Sequence, residues 1–194
     1  KLSGNGAYGA SAAAQFYFFN VSLAADITGE CRVLTKTMWD KLEYFFHETI
    51  WERKDLWEKF DFKLDESKHD WYRTQHISVY SDTDSVYTTY GTLFECMTSE
   101  YKEKYKTDRQ KVDWILKFNK EFVDPQNNQW CDDMYRPRHG NSIHEFELET
   151  VNKACIYLKK KKYIKGLIYN KGKHLPKPKM SGTGIEIIKS TTPK

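Results

Sequence analysis

Tyr80-Ser81-Asp82-Thr83-Asp84-Ser85 lies between two β-branched and aromatic stretches, His76-Ile77-Ser78-Val79-Tyr80 and Val86-Tyr87-Thr88-Thr89-Tyr90. Such composition on both sides of a short polar run predicts two strands joined as a hairpin. Alternate residues of a strand share a face, so Asp82 and Asp84 are expected to point the same way. Two unpaired carboxylates that close repel one another. A divalent cation removes the repulsion, and Mg²⁺ accepts carboxylate oxygens while taking its remaining ligands from phosphates. Taken alone, the run is equally ordinary turn chemistry, since Asp and Ser side chains bond nearby backbone groups. The rest of the chain decides between the two readings.

The chain has 194 residues, enough for one domain or a large part of one. Aromatic residues make up 15%, which supports a packed core and excludes a largely disordered chain. No apolar run approaches the length of a membrane span and no secretory pattern opens the sequence, so no membrane partner is expected. A start at Lys1 rather than Met is expected of a processed or internal segment. Cys31, Cys96, Cys131 and Cys155 form no Cys-x-x-Cys pair, which disfavours structural zinc and fits reduced thiols in a cytoplasmic setting. His76, His139, His144 and His174 show no ligand spacing and read as surface or hairpin residues. The six tryptophans read as core or rim packing.

Net charge is only +4, but lysines crowd the last quarter: Lys159-Lys160-Lys161-Lys162, then Lys165, Lys171, Lys173, Lys177, Lys179 and Lys189. Such a concentration can neutralise phosphates and release counterions. A solvated lysine run is the alternative.

Residues 1–9 read as the end of a helix closed by Gly9, and residues 10–20 as extended. Ile27, Cys31, Leu34, Met38, Leu42 and Phe45 recur at steps of three and four, predicting a helix over about 22–50. Residues 52–70 read as a loop with a short helix, and a helical pair is expected over 91–122 with Val112, Ile115, Leu116 and Phe122 on one face. Asp124-Pro125 is expected to end it, leaving 126–142 irregular. Strands are expected at 143–151, 154–159 and 162–170, with a proline-bearing loop at 173–179. The fold class implied is α+β, an antiparallel sheet packed on helices.

Three separated blocks then fall in one order. Lys1-x-x-x-Asn5-Gly6-x-Tyr8-Gly9 resembles the Lys-x-x-x-Asn-Ser-x-Tyr-Gly block of the family B DNA polymerases. The acidic hairpin resembles that family's Tyr-Gly-Asp-Thr-Asp-Ser, and Lys160-Lys161-Lys162-Tyr163 resembles its Lys-Lys-Arg-Tyr primer motif. Glu145-Phe146-Glu147-Leu148-Glu149 is similar to the alternating acidic strand of the palm, and Met180 to Lys194 looks most like the T-even phage branch. Ser81, Gly6, Ala7 and Lys162 depart from the usual residues. No Asp-x-x-Ser-Leu-Tyr-Pro segment, exonuclease Asp-x-Glu block or thumb is found.

The resemblance implies a piece of a polymerase: the end of a fingers helix and the approach to the palm over 1–20, palm over 21–170, and a palm-to-thumb connection over 171–194. It implies template-directed nucleotidyl transfer assisted by two Mg²⁺ ions, a primer-template DNA partner and a deoxynucleoside triphosphate substrate. A companion segment or chain would supply the exonuclease, the other Asp and the thumb. Asp84 is the expected metal ligand, with Asp82 second and Glu147 either supporting them or simply exposed. Lys1, Asn5 and Tyr8 would line the incoming nucleotide, and Lys160, Lys161, Lys162 and Tyr163 would hold the primer. Strand alternation groups Lys161 with Tyr163 and Lys160 with Lys162. The rival reading is a remnant palm that binds nucleic acid without catalysis.

Overall fold

The computed structural model describes residues 9–17, 19–82, 84–140 and 144–185, with the side chains of Arg138 and His139 left aside. The fold is α+β, with helices and two antiparallel sheets. Helix α1 (Val21–Tyr44) is N-capped by Asn20, whose side chain accepts the Leu23 N–H at 3.0 Å. It continues through a π-helical turn, Phe45–Thr49, into α2 (Ile50–Glu52). Leu34, Met38, Leu42 and Phe45 are buried as the period requires, but Ile27 at the same spacing is exposed. Two short helices follow, α3 (Lys54–Lys59) and α4 (His69–Arg73).

The acidic hairpin is β1 (Ser78–Asp82) and β2 (Ser85–Thr88). Helices α5 (Gly91–Cys96), α6 (Ser99–Lys104) and α7 (Asp108–Phe118) replace the expected pair. Thr107 and Gln110 form a capping box that starts α7. A second π-helical turn, Asn119–Val123, leads into α8 (Asp124–His139). The core is aromatic: Phe60, Phe62, Trp114 and Phe118 meet at ring distances of 4.9–6.2 Å. Buried indoles donate to carbonyls, Trp57 to Ile50 and Trp114 to Phe60, so burial leaves these polar atoms satisfied.

Several expectations are corrected. Residues 9–12 are helical, so Gly9 does not close a helix, and residues 14–17 form turns rather than an extended run. Pro125 does not end helix formation. The Asp124 N–H bonds the Asn119 carbonyl in the wider π pattern, which puts Pro125 in a first-turn position where its missing N–H is tolerated.

Residues 126–139 are therefore helical, and their polar side chains hold the segment that follows. Asn128 accepts the Phe146 N–H at 2.7 Å, and Asp124 accepts the Leu148 N–H at 3.3 Å. Residues 144–149 consequently find side-chain partners and lie outside any strand, although the alternation survives. Glu145 and Glu147 face out while Phe146 and Leu148 pack inward.

Finally, residues 173–179 are strand. The second sheet is a meander of β3 (Thr150–Lys159), β4 (Lys162–Asn170) and β5 (Lys173–Thr183). Pro176 and Pro178 sit in a wide bulge, between the pairs Leu167–Lys179 and Tyr169–His174, where no ladder donor is required. Lys171 and Gly172, both at positive φ, close the β4–β5 turn.

Candidate functional site: an acidic cleft beside a basic hairpin

Asp82 ends β1 and pairs with Ser85, while Asp84 lies in the turn between the strands. Strand alternation therefore does not relate the two, yet both line one cleft of about 810 Å³. Residues 145–149 also line it, so Glu145, Glu147 and Glu149 border the same cleft as the hairpin acids. The wall has its own charge balance: Asp108 pairs with Lys153 at 2.7 Å. Burial raises the Asp124 carboxyl above its ordinary value, with the Leu148 N–H opposing the rise and Glu147 adding to it.

The hairpin is fixed from α1. Glu43 accepts the N–H of Ile77 at 3.0 Å and that of Ser78 at 2.6 Å through one oxygen, at the start of β1. Its other oxygen lies 3.4 Å from His47 Nε2, and His47 also meets the Gln75 carbonyl at 2.8 Å. Further along, Cys31 is close enough to Asp84 to feel its charge. Burial raises the Cys31 thiol, and the Asp84 and Glu30 carboxylates raise it further.

Lys160 and Lys161 form the tip of the β3–β4 hairpin rather than part of a strand, with Lys161 at φ 58° and Lys159 paired to Lys162. The expected grouping of Lys161 with Tyr163 is thus corrected, because alternation begins only at Lys162. Lys160, Lys161 and Lys162 are exposed, whereas Tyr163 is buried.

Tyr163 belongs to a cluster that the sequence reading missed. Tyr80 and Tyr87 are cross-strand partners in the acidic hairpin, and Tyr157 and Tyr163 are partners in the basic one. The two pairs pack together, with Tyr80 stacked on Tyr157 at 4.8 Å and 5.4 Å from Tyr163. Burial raises the Tyr87 and Tyr157 hydroxyls, so these phenols stay protonated. The Lys165 ammonium lies 5.7 Å above Tyr163 and 5.8 Å above Tyr87. Tyrosines at matched positions in two hairpins were the available signal.

Lys1, Asn5 and Tyr8 lie outside the described residues, as do Thr83 and the run from Glu186 onward. Among the described residues, no three His, Cys, Asp or Glu side chains converge as a closed metal cage. Asp82 and Asp84 on one cleft nevertheless suit Mg²⁺, which is commonly held by one or two carboxylates plus substrate phosphates. Among the described residues, no helix is long and apolar enough to cross a membrane. The chain matches no family model and no curated protein.

Proposed function

We propose that this chain is a component of the catalytic core of a DNA-directed DNA polymerase of the family B type. Its substrates are a primer-template duplex and a deoxynucleoside triphosphate. The supporting observation is the joining of the two hairpins: Lys161 at the basic tip donates its backbone N–H to the Tyr80 hydroxyl, two residues before Asp82. The exposed lysines and the hairpin carboxylates thereby share one support. Phosphoryl transfer asks for this combination, because it relies on positioning and charge stabilisation more than on covalent help. Mg²⁺, when bound, would activate the primer hydroxyl and steady the leaving pyrophosphate.

Asp84 and Asp82 would hold the metal at the cleft, Asp84 with the greater role. Lys160, Lys161 and Lys162 would carry the primer backbone, contacts that position a duplex without reading its sequence. Tyr163 would act from beneath, as the support of that tip. Lys1, Asn5 and Tyr8 are assigned to the incoming nucleotide on the resemblance alone. A companion segment or chain would contribute the second carboxylate block.

In the complete assembly, Asp84→Ala should reduce single-turnover nucleotide addition by at least about a hundredfold. Duplex affinity should stay intact, because metal ligation serves the transition state. The isolated chain should extend no primer, and template-directed extension by the pure chain would overturn the fragment reading. Normal turnover in the Asp84→Ala assembly would show that the acidic hairpin is only a turn.

A further inference from the structure

A second cavity, of about 520 Å³, lies where the two π-helical turns meet, and it shares no lining residue with the acidic cleft. Phe45 in the first π turn and Phe122 in the second pack at 5.3 Å, which brings α1 and α8 together around the opening. π-helical turns are uncommon and recur at functional sites, because the widened backbone re-aims side chains that a regular helix would bury. The cavity wall carries Tyr44 at the end of α1, Phe122 in the second π turn and Trp130 in α8, with Tyr44 66% exposed.

The polar groups on the same wall are few and distinct. Lys41 holds its ammonium 5.3 Å from the Trp130 ring and has no carboxylate partner among the described residues. The two other charges are already answered: Asp40 by Lys36 at 3.0 Å, and Arg53 by Asp55 through two hydrogen bonds. Gln126 adds one amide, able to donate and accept. The cavity volume falls within the range of small-molecule sites, and aromatic walls with a few polar groups are their usual lining.

We infer that this cavity binds an unpaired nucleotide. The base stacks against the Tyr44 and Trp130 rings, the phosphate meets the Lys41 ammonium, and Gln126 bonds the base edge. Aromatic faces beside a lone cation are what unpaired bases and their phosphates require, whereas a paired base has no free face to offer. The nucleotide can be free or can belong to a single strand passing over the cavity, and the same chemistry serves both. The site does not depend on the reading of the acidic cleft.

The test uses 2-aminopurine deoxyriboside 5′-monophosphate and, separately, a short thymidine oligonucleotide carrying one 2-aminopurine, each titrated with the whole chain. Stacking should quench the 2-aminopurine emission, saturably, with at least one of the probes. Saturation by the monophosphate identifies a free nucleotide as sufficient. Saturation by the oligonucleotide alone identifies a single strand.

Lys41→Met and Tyr44→Ala, both at positions whose loss leaves the buried core intact, should each weaken binding by about tenfold. Circular dichroism verifies their folding. Lys106→Ala, in an exposed ion pair that lines neither cavity, should leave the affinity unchanged. Absence of quenching by millimolar chain would overturn the inference. So would quenching that survives the Lys41 and Tyr44 changes, or that disappears equally with Lys106→Ala.

Discussion

The backbone N–H of Lys161 donates to the hydroxyl of Tyr80 at 2.9 Å, across 81 residues of sequence. It is the direct polar link between the tip of one hairpin and the strand that carries Asp82. The rings around it make the link stiff, because Tyr80 also stacks on Tyr157 with only 12° between planes. Tyr80→Phe keeps the stack and removes the acceptor. A solvent-exposed hydrogen bond of this kind contributes at most about 1 kcal/mol, so global stability should change little. The Lys161 amide should instead exchange its proton roughly fivefold faster by NMR, while amides in β3 and β4 away from the tip stay as they were. Unchanged exchange at Lys161 would mean that the stack alone positions the tip.

Gly184 presses on the same tip. It sits at φ 63°, and a Cβ there would overlap the carbonyl oxygen of Lys161. Gly184→Ala therefore meets two penalties, a left-handed backbone and a backbone clash. The expected loss is about 1–2 kcal/mol, read as a fall in melting temperature of roughly 2–8 °C. The NMR shifts of Lys161 and Lys162 should move most. A silent Ala variant would show that the β5 end is free to swing away.

Glu43 is the anchor of the acidic hairpin on α1. Removing its side chain leaves the Ile77 and Ser78 N–H groups, both on buried residues, without their acceptor. Glu43→Ala should cost about 2–3 kcal/mol, since a buried donor left unmade loses its full desolvation energy. Glu43→Gln retains one acceptor oxygen and should lose distinctly less. Chemical denaturation of the three proteins gives the comparison, and equal stability of Ala and wild type would remove Glu43 from the anchoring role.

Asp124 supplies a pH signature. Its folded carboxyl is raised above its ordinary value of 3.8, mainly by burial. A raised folded value means that the native state holds the proton more tightly than the unfolded chain. Its contribution is complete below the unfolded pKa and is lost as pH rises through the folded one. Asp124→Asn cannot ionise, and its amide oxygen can still accept the Leu148 N–H. Relative to wild type, the Asn variant should gain stability as pH climbs from about 3.8 through the raised value, then stay level. Parallel melting curves for the two proteins across that interval would expose a flat difference, which would sink the assignment.

What the sequence disclosed follows from which residues carry an unambiguous period or turn. The acidic hairpin was legible because β-branched and aromatic residues flank the Asp pair, and α1 because its apolar steps are regular over five turns. Helix α8 was hidden. Its Asn and Asp residues look like loop chemistry, yet Asp124 and Asn128 spend their side chains on the backbone of 144–149. Strand β5 was hidden by Pro176 and Pro178, which a bulge accommodates. The strand bounds on either side of the lysine tip were legible, but strand alternation was carried into the turn itself, where Lys161, and not a glycine, takes the positive φ. Within the site, the acids and lysines could be read from their charge. The tyrosines that hold them together left a fainter signal, matched positions in two hairpins, and their packing against one another became visible once the hairpins were brought face to face.

That packing divides the basic motif into two kinds of residue, with different expected losses. Lys160 is exposed at the tip, so Lys160→Ala should leave the fold intact. If it neutralises a phosphate, its removal should weaken primer-template binding alike for every sequence and flatten the log K against log salt slope by about one unit. Tyr163 is buried against Tyr80, Tyr87 and Tyr157, so Tyr163→Ala should cost about 3–5 kcal/mol of stability, the range for emptying a large aromatic site. Its effect on DNA should follow from the displaced tip, so the affinity falls while the number of released ions is reduced as well. Tyr163→Phe keeps the ring and should restore both. Fluorescence titration at several salt concentrations, with two unrelated duplexes, measures these quantities in the complete assembly. An unchanged slope in Lys160→Ala would show that this lysine is merely solvated. A loss confined to one duplex would show that the tip reads bases.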